Sequence, residues 1–126
     1  MKGGLGPAEP LLESPHMEIS VKPLKQVDIV KVSGRIDSAT ASEFDNALKG
    51  LLDRGRRKIV IDCESLEYVS SAGLRAMLAA LKAAKSNGGN VVLAQANERV
   101  RDTLALVGFQ TLFLQYTDIV DAVDSF

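Results

Sequence analysis

Short β-branched runs alternate along this chain with stretches whose apolar residues recur every three to four positions. That alternation constrains the fold more than any other feature. A strand presents one face every second residue and a helix every third or fourth, so each pattern can bury its apolar side only in its own element. "VDIVKVSGRI" carries Val27, Ile29, Val30 and Val32, while "KIVID" and "VVLAQ" are continuous apolar runs of the kind buried in a parallel sheet. Between the first two, Phe44, Ala47, Leu48, Leu51 and Leu52 fall at i, i+3, i+4, i+7 and i+8 on one helix face. Thr40 and Glu43 form a capping-box pattern at its start, and Gly55 suits its end. A second helix is predicted from about Ser71 to Ser86, with Leu74, Met77, Leu78 and Leu81 on one face, and "SNGGN" ends it. Asn97 suits the cap of a third helix bearing Val100, Leu104 and Val107 and closed by Gly108. "MEISVK" and "TLFLQY" read as the first and last strands, and "TDIVDAVDSF" as a final helix capped by Thr117 or Asp118.

The expected order is β-β-α-β-α-β-α-β-α. Parallel neighbours need helical crossovers, so this order implies an α/β domain. Its sheet is expected to be mostly parallel, of four to five strands with an antiparallel edge, carrying about four helices. The 126 residues, 46% of them hydrophobic and 25% charged, suit one globular domain. Residues 1–16, MKGGLGPAEPLLESPH, are rich in Gly and Pro and have no period. The His16–Met17 junction marks them as a cloning leader or a disordered segment, so the domain is expected over 17–126. Setting the leader aside removes His16, the only histidine.

Several function classes lose support. A net charge of −1 gives no global attraction to nucleic acid or to an anionic membrane. The basic run Arg54-Gly55-Arg56-Arg57-Lys58 falls in a helix-to-strand loop and reads as solvated charge. No apolar run approaches the roughly 18 residues that cross a bilayer, so no membrane insertion is expected. Cys63 is alone, which rules out an internal disulfide and reads as a buried, inert thiol in a cytoplasmic chain. The carboxylates Asp37, Asp62, Glu64 and Glu67 could meet at the strand ends, but without histidine only a hard-cation site would remain, and no metal or cofactor is expected. "SNGGN" lacks the Gly-Lys-Ser/Thr of a phosphate loop.

The stretch Glu67–Leu74, "EYVSSAGL", places two serines at the start of the second helix. A serine nucleophile needs a base, and with His16 set aside no histidine is left to serve, so no enzymatic activity is expected. A helix cap accounts for one serine. The same free amides favour an added anion, so a phosphoryl group on an exposed serine would remodel the surface with no chemistry done by this chain.

"GRID" at Gly34–Asp37, followed by "KIVIDCESLEYVSSAGLRAML" at Lys58–Leu78, resembles the STAS domain of bacterial anti-sigma factor antagonists. The resemblance covers about residues 17–126. It implies a regulator that binds an anti-sigma factor when unphosphorylated. The implied partners are an anti-sigma factor with serine kinase activity and a metal-dependent serine phosphatase. Carried over by position, the phosphoacceptor falls on Ser71, with Ser70 as the alternative. The implied partner-binding positions are Asp37, Ser70, Ser71, Ala72, Gly73, Leu74 and Arg75. This sequence departs from the family pattern in having Ser70 where an Asp is usual, Val69 where a Met is usual, and Arg75 where a Gly is common. Those departures keep open a second function, a non-switching STAS module in a sensory scaffold or a transporter-associated subunit.

Overall fold

A computed structural model of the chain describes residues 10–13 and 17–126. In chain order the elements are β1 (Pro10–Glu13), β2 (Met17–Pro23), β3 (Asp28–Ile36), α1 (Ala41–Asp53), β4 (Lys58–Asp62), β5 (Leu66–Val69) and α2 (Ser71–Ser86). They continue with β6 (Asn90–Ala94), α3 (Glu98–Leu106), a 3-10 turn (Phe109–Thr111), β7 (Gln115–Tyr116) and α4 (Ile119–Asp124). One seven-stranded sheet runs β1-β2-β3-β4-β6-β7, with β5 paired to β3. The β1–β2 and β2–β3 pairs are antiparallel and all other pairs are parallel.

The expected α/β architecture, antiparallel edge and four helices are present. Two strands were not anticipated. Pro10–Glu13, expected outside the domain, pairs with β2, through Pro10 opposite Ser20 and Glu13 opposite Glu18. The rest of the supposed leader lies outside the described residues. The second is β5, only four residues long, too short for a period to register. It forms because β3 outlasts β4. Asp28–Lys31 pair with β4, and Gly34–Ile36 beyond them pair with β5. Gly34, at φ 89, sits where that second pairing is irregular.

The last strand is shorter than "TLFLQY" suggests. Phe109–Thr111 coil into a 3-10 turn, bringing the Phe109 and Phe113 rings to 5.9 Å and burying Phe113 in the main core. Thr40 stands at the N-cap of α1, but its side chain makes no cap hydrogen bond. Its Oγ1 instead donates to Arg35 O at 2.9 Å and accepts from Asp37 N at 2.9 Å, so the capping box is not formed.

Alternation along the strands divides the apolar residues between two cores. Val30, Val32, Ile36, Ile59, Ile61, Val91 and Leu93 meet α1, α2 and α3 on one face, where Phe44, Leu48, Met77 and Leu104 are fully buried. Each such side chain stabilises the fold by roughly 1.5–3 kcal/mol relative to exposure. Val60, Val92 and Ala94 meet α4 on the other face. Because α1 and α2 lie on the same face, each following a parallel strand, their N-termini emerge together at one end of the sheet.

Candidate functional site

The paired ends of β3 and β5 build the site. Ile36 and Val69 are register partners, and Ser70 N donates to Ile36 O at 2.7 Å. Asp37 and Ser70, thirty-three positions apart in sequence, are therefore neighbours at the point where both strands turn into helices. Asp37 Oδ1 accepts from Ala39 N at 2.9 Å and Thr40 N at 3.0 Å, a local turn that launches α1.

The two serines are used differently. Ser70 is extended (φ −80, ψ 171) and half-buried, and its Oγ accepts from Gly73 N at 3.2 Å as the N-cap of α2. Ser71 is the first helical residue, exposed, and its hydroxyl makes no hydrogen bond among the described residues. Ala72 is half-buried and Arg75 exposed. Gly73 and Leu74 are buried, so they shape this end of the helix from beneath and offer no surface to a partner. The accessible face comprises Asp37, Ser70, Ser71, Ala72 and Arg75.

Gly73 is a point of close approach between the helix and the sheet. A Cβ there would stand 2.7 Å from Ile36 Cγ2 and 3.0 Å from Val69 Cγ1. Gly73→Ala is expected to cost about 1–3 kcal/mol in a urea titration, and to move the amide resonances of Ser70 and Ser71, because relief requires lifting the helix start off the β3–β5 pair.

Beside the site lies a groove of about 340 Å³ between α1 and α2, lined by Ser42, Asp45 and Lys49 on one helix and Ala72, Arg75 and Ala79 on the other. Lys49 Nζ and Asp45 Oδ2 pair across one turn of α1 at 2.9 Å. That hydrogen bond raises the Lys49 pKa. Sequence reasoning also missed a pair on the opposite face of the sheet. Arg35 lies over the Tyr68 ring at 4.4 Å, and the two residues are register partners on β3 and β5. Nothing short of strand register would have joined them.

The other chemical candidates are accounted for structurally. Asp62 Oδ1 accepts from Glu64 N at 3.0 Å and from Gln95 Nε2 at 2.9 Å. Among the described residues no three His, Cys, Asp or Glu side chains gather to hold a metal ion. Cys63 is fully buried, and desolvation, helped by the nearby Asp62 charge, pushes its thiol up to about 12. It is a neutral core side chain throughout the physiological range. Among the described residues no helix is long and apolar enough to cross a membrane. Arg56 does not fit the solvated reading of the basic run. Its Nε donates to the buried Asp28 Oδ2 at 2.6 Å, because the β2–β3 turn folds back over the α1–β4 loop.

Residues 19–116 match the family described as Mlab, STAS domain. BtrV of Bordetella bronchiseptica, assigned as an anti-sigma factor antagonist, is 31% identical over 97 residues, covering 77% of this chain and 84% of BtrV. The chain belongs to the STAS-domain anti-sigma factor antagonist family. The anti-sigma-B factor antagonist of Staphylococcus aureus is 28% identical over 83 residues, covering 66% of this chain and 77% of its own. Among solved structures, an anti-sigma factor antagonist from Mycobacterium paratuberculosis superposes with a TM-score of 0.79 at 26% identity, covering 90% of this chain and 97% of that one. In this chain β5 is the strand that carries the serine turn to the end of β3.

Proposed function

We propose that this STAS domain is an anti-sigma factor antagonist of the cytoplasm, without catalytic activity of its own. It binds an anti-sigma factor through the Asp37–Ser71 end of the sheet and is switched off by phosphorylation of Ser71. The observation that carries the reading is the division of labour between the serines. Ser70 performs the capping, which leaves the exposed Ser71 hydroxyl free of any structural duty. A kinase-type anti-sigma factor transfers the γ-phosphoryl group of ATP to Ser71 Oγ, releasing ADP and the hydroxyl proton. A metal-dependent serine phosphatase hydrolyses the phosphoester with water, releasing inorganic phosphate and restoring the hydroxyl. The added group carries nearly two negative charges at a helix start, where the free amides accommodate it at little cost to the fold. A partner surface matched to a neutral hydroxyl meets an unpaired, desolvated charge instead.

The test is to incubate the domain with its cognate kinase-type anti-sigma factor and ATP, and to locate phosphate by mass spectrometry. Phosphate is expected on Ser71. Ser71→Asp is expected to weaken binding to that factor by about tenfold or more (~1.4 kcal/mol), with Ser71→Ala close to wild type. Phosphate on neither serine, or undiminished binding by Ser71→Asp, overturns the switch. Stable capture by transporter ATPase components, with none by a kinase, would point to the non-switching module, the reading favoured by Ser70 in place of the usual Asp.

A further inference from the structure

We propose that Arg75 is the intramolecular counter-ion of a phosphate on Ser71, clamping the modified residue against its own helix; this rests on the phosphorylation reading above. Ser71 and Arg75 stand at i and i+4 of α2, so their side chains leave the same face of the helix. The Cα–Cβ bonds of a helix tilt toward its N-terminus, which leans the Arg75 side chain back over the turn that begins with Ser71. Both residues are exposed, and Arg75 forms no ion pair or hydrogen bond among the described residues.

The acid on the facing helix is already engaged. Asp45 lines the same groove as Arg75, but its carboxylate is held by Lys49. The Arg75 guanidinium is therefore a free cation one turn from a free hydroxyl. Its planar fork suits the two phosphate oxygens that a single ammonium cannot match. The charges facing this spot are Asp37 in the β3–α1 loop and Asp45 and Lys49 on α1, while Arg35 alternates to the opposite face of the sheet, where it stacks on Tyr68. The helix-start amides add their partial positive charge. Unlike these, Arg75 shares the helix face of Ser71. When clamped, the groove between α1 and α2 loses its one unpaired guanidinium, so the phosphate alters the partner surface beyond its own volume.

Genetically encoded phosphoserine at position 71 tests the clamp without any kinase. The second ionisation of the phosphate, about 6 when unperturbed, is followed by phosphorus NMR against pH. In the wild-type sequence it is expected about 0.5 lower than in Arg75→Gln, with Arg75→Lys between them and the differences shrinking at high salt. Arg75→Gln retains the helix amides, Asp37, Arg35 and the Asp45–Lys49 pair, so the comparison isolates the guanidinium. A phosphate that titrates alike in the wild-type and Arg75→Gln proteins overturns the clamp and leaves the switch standing. Failure of the kinase to modify Ser71 overturns the switch, while the encoded phosphoserine still decides the clamp. Unchanged circular dichroism and unmodified thermal midpoint are expected for Arg75→Gln, whose side chain is exposed.

Discussion

Arg56→Ala is expected to lower the unfolding free energy by about 3 kcal/mol, a large part of the stability of a domain this size. Asp28 opens β3 at 1% exposure, where a lone carboxylate is costly. Arg56 Nε lies 2.6 Å from Asp28 Oδ2, and its Nη1 and Nη2 donate to Lys25 O at 3.2 Å and Leu24 O at 3.0 Å. One guanidinium thus neutralises the acid and also satisfies two carbonyls of the β2–β3 turn. Removing it strands the buried Asp28 carboxylate, whereas the exposed Leu24 and Lys25 carbonyls turn to water. Arg56→Lys keeps the charge but not the fork, so it should lose less. Replacing both partners, Arg56→Met with Asp28→Leu, should recover most of the loss, since no buried charge then remains. Urea titration of the four proteins decides the matter. A loss below about 1 kcal/mol for Arg56→Ala would mean the pair is effectively at the surface.

Gly89→Ala is expected to cost about 3 kcal/mol, more than any other Gly→Ala change in the helices and turns. A Cβ at Gly89 would lie 1.9 Å from Arg57 O, and that oxygen cannot move freely. It accepts from Asn90 N at 2.9 Å, at the start of the parallel β4–β6 pairing in which Lys58 lies opposite Asn90. Gly89 N itself donates to Ala84 O at 2.8 Å, closing α2. Relief would have to pull the helix end off the sheet or break the first bond of the ladder. Gly50→Ala in α1 is the internal comparison. Nothing lies within 4 Å of its added Cβ, so it should be neutral or stabilise by up to about 1 kcal/mol. Thermal melts of the two variants should therefore move in opposite directions or differ sharply in size.

Both residues show where sequence reading stopped. The run Arg54–Lys58 looked like solvated charge because only its own neighbours were visible, whereas the acid that claims Arg56 is 28 positions away. "SNGGN" looked like a plain turn. Gly88 does supply a left-handed φ of 82, but Gly89 is set by a carbonyl more than thirty residues earlier in the chain. The Thr40–Glu43 capping box failed for a similar reason, since Thr40 was drawn into hydrogen bonds with Arg35 and Asp37.

The local periods, by themselves, determined the α/β class, the position of α2 from about Ser71 to Ser86, the cap Asn97, a last helix capped by Thr117 or Asp118, and the serine pair at a helix start; the structure chose Asp118. Those features depend on residues within a turn or two of one another, and one-dimensional order contains that information in full. The tertiary structure decided which serine caps and which is free, that β5 exists, that Asp37 and Ser70 are neighbours, and that Gly73 and Leu74 face the core. Each of these depends on strand register, in which a shift of one residue sends every side chain to the opposite face. Register follows from how the whole apolar surface is best buried, so no local segment encodes it.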